Sequence, residues 1–277
     1  MARATVIPAG SYMRKPSLGA KGQRLNFTRA IVRKPGLEFL CAITASNLGR
    51  PDFETALDQH AAYCDALKEC GLELTVLEAD PRFPDGPFVE DTAVVTERCA
   101  IITNMSSPSR QGEQAAVQEA LAQFKPIERI SPPGTLDGGD VMRIGEHFYI
   151  GLSGRTNADG AGQLTDVLAR HGYTASTVPV AGCLHLKTGV TWVGGNHVVA
   201  RADFAGRPEL AAFNVIQVAA GEDHAANCLL INGRLLMPAG CQATGRLLGR
   251  LSWPVIELPI SEFQKMDGGL TCLSVRF

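Results

Sequence analysis

DVMRIGEHFYIGLSGRTNADGAGQLTDVLARHGYTASTVPV, residues 140–180, contains one complete structural unit. Asp140–Gly151 is two β-rich runs broken at Gly145-Glu146, the pattern of a hairpin. Ala158–His171 follows as a helix and Thr174–Val180 as a strand. Working outward, the same order recurs on both sides. Upstream come a hairpin over Asp91–Thr103, a helix over Gly112–Phe124 and a strand over Pro126–Ile130. Downstream come a hairpin over Val190–Arg201, a short helix near Pro208–Phe213 and a strand over Asn214–Val218. A further pass has a hairpin over Asn227–Pro238 around Asn232-Gly233, a helix over Gln242–Leu251 and a strand over Pro254–Leu258. Repetition of one supersecondary unit every roughly 35–50 residues predicts radial or solenoidal stacking.

The ends supply the missing unit. Strand Phe27–Arg33 has no hairpin partner before it and is followed by a helix over Asp52–Cys70 and a strand over Leu72–Leu77. Strand Thr271–Phe277 has no partner after it. Pairing the two completes a fifth hairpin, closes a ring and removes exposed sheet edges. The expected fold is therefore α/β: one domain over residues 26–277, built from ββαβ units with five-fold pseudosymmetry and a site on the central axis. Residues 1–25 hold several basic residues, no acidic one and no clean periodicity, and read as a poorly ordered arm.

Composition narrows the function. The 277 residues carry 26 basic and 28 acidic groups, a net charge of −2, without the clustered basic face of a nucleic-acid binder. Apolar residues make up 45%, enough for a buried core, yet no run approaches a membrane span. The N-terminus shows no secretory stretch, so the expectation is a cytoplasmic protein, monomer or homodimer, with no membrane or nucleic-acid partner. Eight dispersed cysteines without a C-x-x-C pair read as free thiols in a reducing compartment. The six histidines show no zinc-ligand spacing, so no metal site is expected. Dinucleotide, P-loop, H-E-x-x-H and serine-hydrolase signatures are all missing.

Four polar clusters interrupt the apolar pattern. Glu90-Asp91 sits at the mouth of a strand in FVEDTAVV, where bare acids cost desolvation energy unless a cation partners them. In Leu136-Asp137-Gly138-Gly139-Asp140 the glycines allow close backbone approach, although such a sequence also makes an ordinary turn. His185 interrupts an apolar strand in CLHLKT, where a satisfied core histidine is the rival reading. In the last strand, alternation sorts Cys272, Ser274 and Arg276 onto one face and Thr271, Leu273, Val275 and Phe277 onto the other, leaving Cys272 aimed at the axis. A thiolate beside histidine and several carboxylates suits attack on an electrophilic carbon in a cationic substrate, and guanidinium matches carboxylates bidentately.

With these motifs, together with SPSRQGE, FYIGLSGRTNADGA, AANC and MDGGLTCLSVRF, the chain resembles the dimethylarginine dimethylaminohydrolases over about Phe27 to Phe277. These enzymes are members of the pentein, or guanidino-group-modifying, superfamily, whose fold is a five-bladed α/β propeller. The resemblance implies hydrolysis of Nω-methylated arginines to citrulline, without a cofactor. It implies that Cys272 is the nucleophile, His185 the general acid/base and Asp137 its orienting carboxylate. Asp91, with Glu90 beside it, would bind the guanidinium. Asp85 and backbone carbonyls near Ile43 and Met266 would hold the α-amino group, and Arg110 and Arg155 the α-carboxylate. Ile43 lies on the loop Lys34–Pro51, a lid; many relatives have leucine there. The alternative on the same fold is an arginine deiminase-like or other guanidino-group hydrolase. Leu186-Lys187 after His185, where deiminases tend to carry an aspartate two residues on, favours the methylarginine branch. A non-catalytic arginine-binding module would need no thiol.

Overall fold

Each unit begins with the antiparallel pairing that its turn dictates. A computed structural model describes residues 26–277, so the arm expected over 1–25 lies outside the described residues. In chain order the elements are β1 (Arg29–Arg33), α1 (Phe53–Glu69), β2 (Glu73–Leu77), β3 (Ala93–Val95), β4 (Ala100–Ile102), α2 (Gln114–Ala122) and β5 (Ile127–Arg129). There follow β6 (Val141–Ile144), β7 (His147–Leu152), α3 (Ala158–Arg170), β8 (Thr174–Pro179), α4 (Leu186–Gly189), β9 (Val190–Trp192) and β10 (His197–Ala200). The chain ends with α5 (Ala202–Ala205), β11 (Asn214–Gln217), β12 (Leu229–Ile231), β13 (Arg234–Pro238), α6 (Gln242–Leu248), β14 (Val255–Leu258), α7 (Ser261–Gln264) and β15 (Val275–Arg276).

These strands form five three-stranded sheets with one plan. An antiparallel hairpin is followed by a crossover helix and a parallel third strand, as in β6-β7-α3-β8. The hairpin turn at Asn232-Gly233 needs positive φ at both residues, 47° and 83°, which asparagine and glycine tolerate. The long crossover helices are capped at their N-termini: Asp52 accepts from Thr55 N and Asn157 from Gly160 N, both at 2.8 Å. The terminal strands meet as expected, β15 antiparallel to β1 with Ala30 opposite Arg276 and Ile31 opposite Val275.

Strand alternation sends neighbouring residues into different cores. Ile31 and Val275 pack with Ala93, Ala100 and Ile102, whereas Ala30 and Val32 pack with Leu229, Ile231 and Leu236. Val94 and Ile101 join Val141 and Phe148; Met142 and Tyr149 join Val190 and Val198; Val199 joins Cys228 and Leu235. Every core cluster thus joins two successive sheets, and one joins the last sheet to the first.

Several local expectations are corrected. The sheets stay separate, so pairing of the termini does not remove edges: the outer strands β2, β5, β8, β11 and β14 remain partly exposed. Thr271–Leu273 is a 3-10 turn, and only Val275–Arg276 is strand, so alternation does not run through Cys272. His185 is not in a strand but immediately precedes the single-turn helix α4. The helix expected near Pro208–Phe213 divides into α5 and a 3-10 turn at Pro208–Leu210, because proline removes a donor and restricts Arg207 before it. Among the described residues no helix is long and apolar enough to cross a membrane.

Candidate active site

The site is assembled from turns at the starts of the hairpins. Val89–Thr92 and Gly138–Asp140 are 3-10 turns leading into β3 and β6, and α4 leads directly into β9. Backbones here approach too closely for side chains: a Cβ on Gly138 would lie 2.0 Å from Glu90 O, and one on Gly139 2.7 Å from His185 Nδ1. That crowding is the close approach anticipated for the paired glycines.

Asp137 is fully buried, and its Oδ2 lies 3.0 Å from His185 Nε2. Asp91 accepts from Gly139 N at 2.9 Å and from Arg110 Nη1 at 2.6 Å, with its Oδ1 3.9 Å from His185 Nε2. Burial disfavours the imidazolium, but Asp91, Asp137 and Asp140 outweigh it and raise His185 to about 9. Burial likewise opposes the Asp91 carboxylate, yet His185 and Arg110 bring it down to about 2. Histidine and carboxylate are therefore both charged near neutral pH.

Cys272 sits in the Thr271–Leu273 turn, partly buried, with its Sγ 3.4 Å from the Gly269 N–H. Burial first, then Glu90 and Asp91, push its thiol up to about 12. Cys272 is therefore a neutral thiol near pH 7. Asn227 braces this turn, accepting from Thr271 N at 2.9 Å and donating to Lys187 O at 2.8 Å.

The expected binding residues fare differently. Glu90 Oε1 takes Lys187 Nζ and Arg276 Nη2, each at 2.6 Å, while Oε2 accepts from Thr271 Oγ1 at 2.7 Å. Both of its oxygens serve the scaffold. Arg110 is committed to Asp91, Glu113 and Phe88 O, whereas Arg155 Nη1 is buried without a hydrogen-bond partner, 3.9 Å from Asp137 Oδ2. Asp85 is buried and accepts from Ile43 N at 3.2 Å, which ties the loop Lys34–Pro51 to it. Met266 is buried just before Asp267, whose Oδ2 accepts from Ala45 N at 2.6 Å. Although the sequence shows no ligand spacing, Asp91, Asp137 and His185 present atoms within 4.8 Å of one another that could hold a cation.

Comparison with known proteins bears directly on this arrangement. The family model described as "N,N dimethylarginine dimethylhydrolase, eukaryotic" matches residues 50–205. The N(G),N(G)-dimethylarginine dimethylaminohydrolase of Pseudomonas aeruginosa is 45% identical over 253 residues, covering 91% of this chain and all of that protein. This chain belongs to the dimethylarginine dimethylaminohydrolase family. A crystal structure of a cysteine-to-serine mutant of the Pseudomonas aeruginosa enzyme with citrulline matches at a TM-score of 0.90 and 44% identity, over 91% of this chain and 100% of that one. The N-terminal domain of ArgZ, a cyanobacterial arginine dihydrolase, matches at a TM-score of 0.81, covering 91% and 97%, and at 17% identity shares the fold.

Sequence reasoning missed Lys187 and Arg276 as partners of Glu90, and Asn227 as the brace of the cysteine turn. AANC stood out as a motif, but nothing local indicates that its asparagine faces Thr271, 44 residues on.

Proposed function

We propose that this chain hydrolyses asymmetric dimethylarginine and monomethylarginine to L-citrulline and dimethylamine or methylamine. The observation that carries the reading is a buried His185 3.0 Å from Asp137 and 3.9 Å from Asp91, with the Cys272 thiol held protonated by burial beside Glu90 and Asp91. A guanidinium entering against Asp91 would balance that charge and favour the thiolate beside it. Cys272 releases its proton to solvent as the cation binds, its Sγ attacks the guanidinium carbon, His185 protonates the departing amine, and an S-alkylthiouronium remains. His185 then takes a proton from water, whose oxygen adds to the same carbon. Collapse expels the thiolate and leaves the citrulline urea.

Arg155 has an unused buried donor for the α-carboxylate, with Arg110 as the deeper positive charge. Asp85, with the carbonyls of Ile43 and Met266, takes the α-ammonium. The loop Lys34–Pro51 then covers the amino-acid end of the substrate, where Ile43 N already bonds Asp85. Within this reading residues 26–277 form one domain, and the five units form a closed ring, an α/β propeller with the site on its axis. The cyclic order of the five shared cores supports that closure. A reducing, cytoplasmic setting belongs to the same proposal, because a thiol nucleophile must stay reduced.

The test is citrulline release from arginine, monomethylarginine and asymmetric dimethylarginine. Turnover of both methylated substrates with little from arginine is expected. Preferred turnover of free arginine would overturn the reading in favour of a deiminase.

A further inference from the structure

Asp140 is fully buried and lies outside the reaction just described, yet its carboxylate accepts hydrogen bonds from three groups behind the site. Its Oδ1 accepts from Leu186 N, the residue after His185, at 2.9 Å. Its Oδ2 accepts from Ser153 Oγ at 2.6 Å and from Thr156 Oγ1 at 2.7 Å. Each hydroxyl carries the contact onward. Ser153 Oγ accepts from Arg155 N at 2.9 Å, and Thr156 Oγ1 accepts from Asp137 N at 3.2 Å. One buried carboxylate thus lies one hydrogen bond from the peptide that follows His185 and two from the backbones of Asp137 and Arg155. The surroundings are shaped to admit it: a Cβ on Gly151 would stand 2.6 Å from Asp140 Oδ1.

We propose that Asp140 is a positioning residue that sets the histidine, its orienting carboxylate and the carboxylate-binding arginine in one register. The inference rests on the function proposed above. Asp140 touches neither substrate nor thiol; it acts through the turns that carry the groups that do. Its negative charge also favours the protonated form of His185, alongside Asp91 and Asp137, while Arg110 and Arg155 are the cations nearest those carboxylates.

The experiment compares wild type with Asp140→Asn, Ser153→Ala and Thr156→Val on Nω-methyl-L-arginine and on Nω-methylagmatine, which lacks the α-carboxylate. Asp140→Asn should lower kcat by roughly 10- to 100-fold on either substrate, the usual scale for groups that orient reacting residues. It should also move the alkaline limb of the pH profile to lower pH. Ser153→Ala should raise KM for methylarginine about 10-fold, the cost of loosening one charged contact, and leave KM for methylagmatine unchanged. Thr156→Val should lower kcat with little change in KM, and with Ser153→Ala it carries the test if Asp140→Asn does not fold. A folded Asp140→Asn with wild-type kcat and an unmoved pH profile would overturn the proposal, as would equal KM changes for both substrates in Ser153→Ala. Wild-type inactivity on methylarginine would instead sink the proposed function. The titration of His185 followed by NMR, shifted down in Asp140→Asn or not, then decides the role of Asp140 without turnover.

Discussion

At the scale of single residues, the chemistry turns on where protons sit before substrate arrives. The Cys272 thiol is held up to about 12 by burial and by Glu90 and Asp91, so its alkylation at pH 7.5 should be slow. A small cationic amidine that copies the guanidinium should accelerate that alkylation by favouring the thiolate. No acceleration would point to a standing thiolate–imidazolium pair. Cys272→Ser should abolish citrulline formation, since an alcohol is a far poorer nucleophile, while Cys99→Ala should retain most of it. More than about a tenth of wild-type rate in Cys272→Ser would rule out covalent catalysis at that residue. Arg155→Lys is not conservative at a site built for a planar donor, and should cost about 2–4 kcal/mol in kcat/KM for methylarginine. Arg110 offers no such clean readout, because Asp91 and Glu113 would lose their partner too.

At the scale of elements, short turns carry the site and one ion-pair cluster locks three of them together. Glu90, in the turn before β3, holds Lys187 in α4 and Arg276 in β15, and bonds Thr271 beside the nucleophile. Glu90→Gln should therefore cost about 3 kcal/mol in urea unfolding, because two largely buried cations lose their counter-charge. A loss under about 1 kcal/mol would mean that water replaces it. The same elements show what was legible in the sequence. Hairpins with Gly145 or Asn232-Gly233 turns and the capped helices α1 and α3 were readable, because alternation, helical spacing and turn chemistry are local. The Thr271–Leu273 turn was not: its residues alternate like a strand, and what curls them is Asn227, Glu90 and Arg276, all distant or past the turn. Cys272, His185 and Asp137 were singled out through motif resemblance and local chemistry. The ion pairs that surround Glu90 and Arg110 link segments whose proximity only the fold creates.

At the scale of the molecule, buried titrating groups shape stability against pH. His185 has a folded value of about 9 against about 6.5 unfolded, so its contribution is complete below pH 6.5 and is lost as pH rises through 9. Cys272 acts in the same direction above pH 8.5, where the unfolded thiol ionises and the folded one does not. Tm should therefore fall from pH 7 to pH 10, and His185→Gln should flatten the first part of that fall. An unchanged slope in His185→Gln would show that the histidine is not charged in the folded protein. The sheet that joins β15 to β1 has another consequence, one of timing. Thr28 and Arg29 donate to Phe277 O at 2.9 and 2.8 Å, so β1 finds its hairpin partner in a strand translated after those of the other four sheets. The turn that carries Cys272 precedes that strand. Until β15 emerges, β1 has only β2 beside it. The loop that this pairing closes spans nearly all of the described residues, the costliest and slowest kind of contact to make. The turn that carries the thiol is thus among the last parts of the fold to be set.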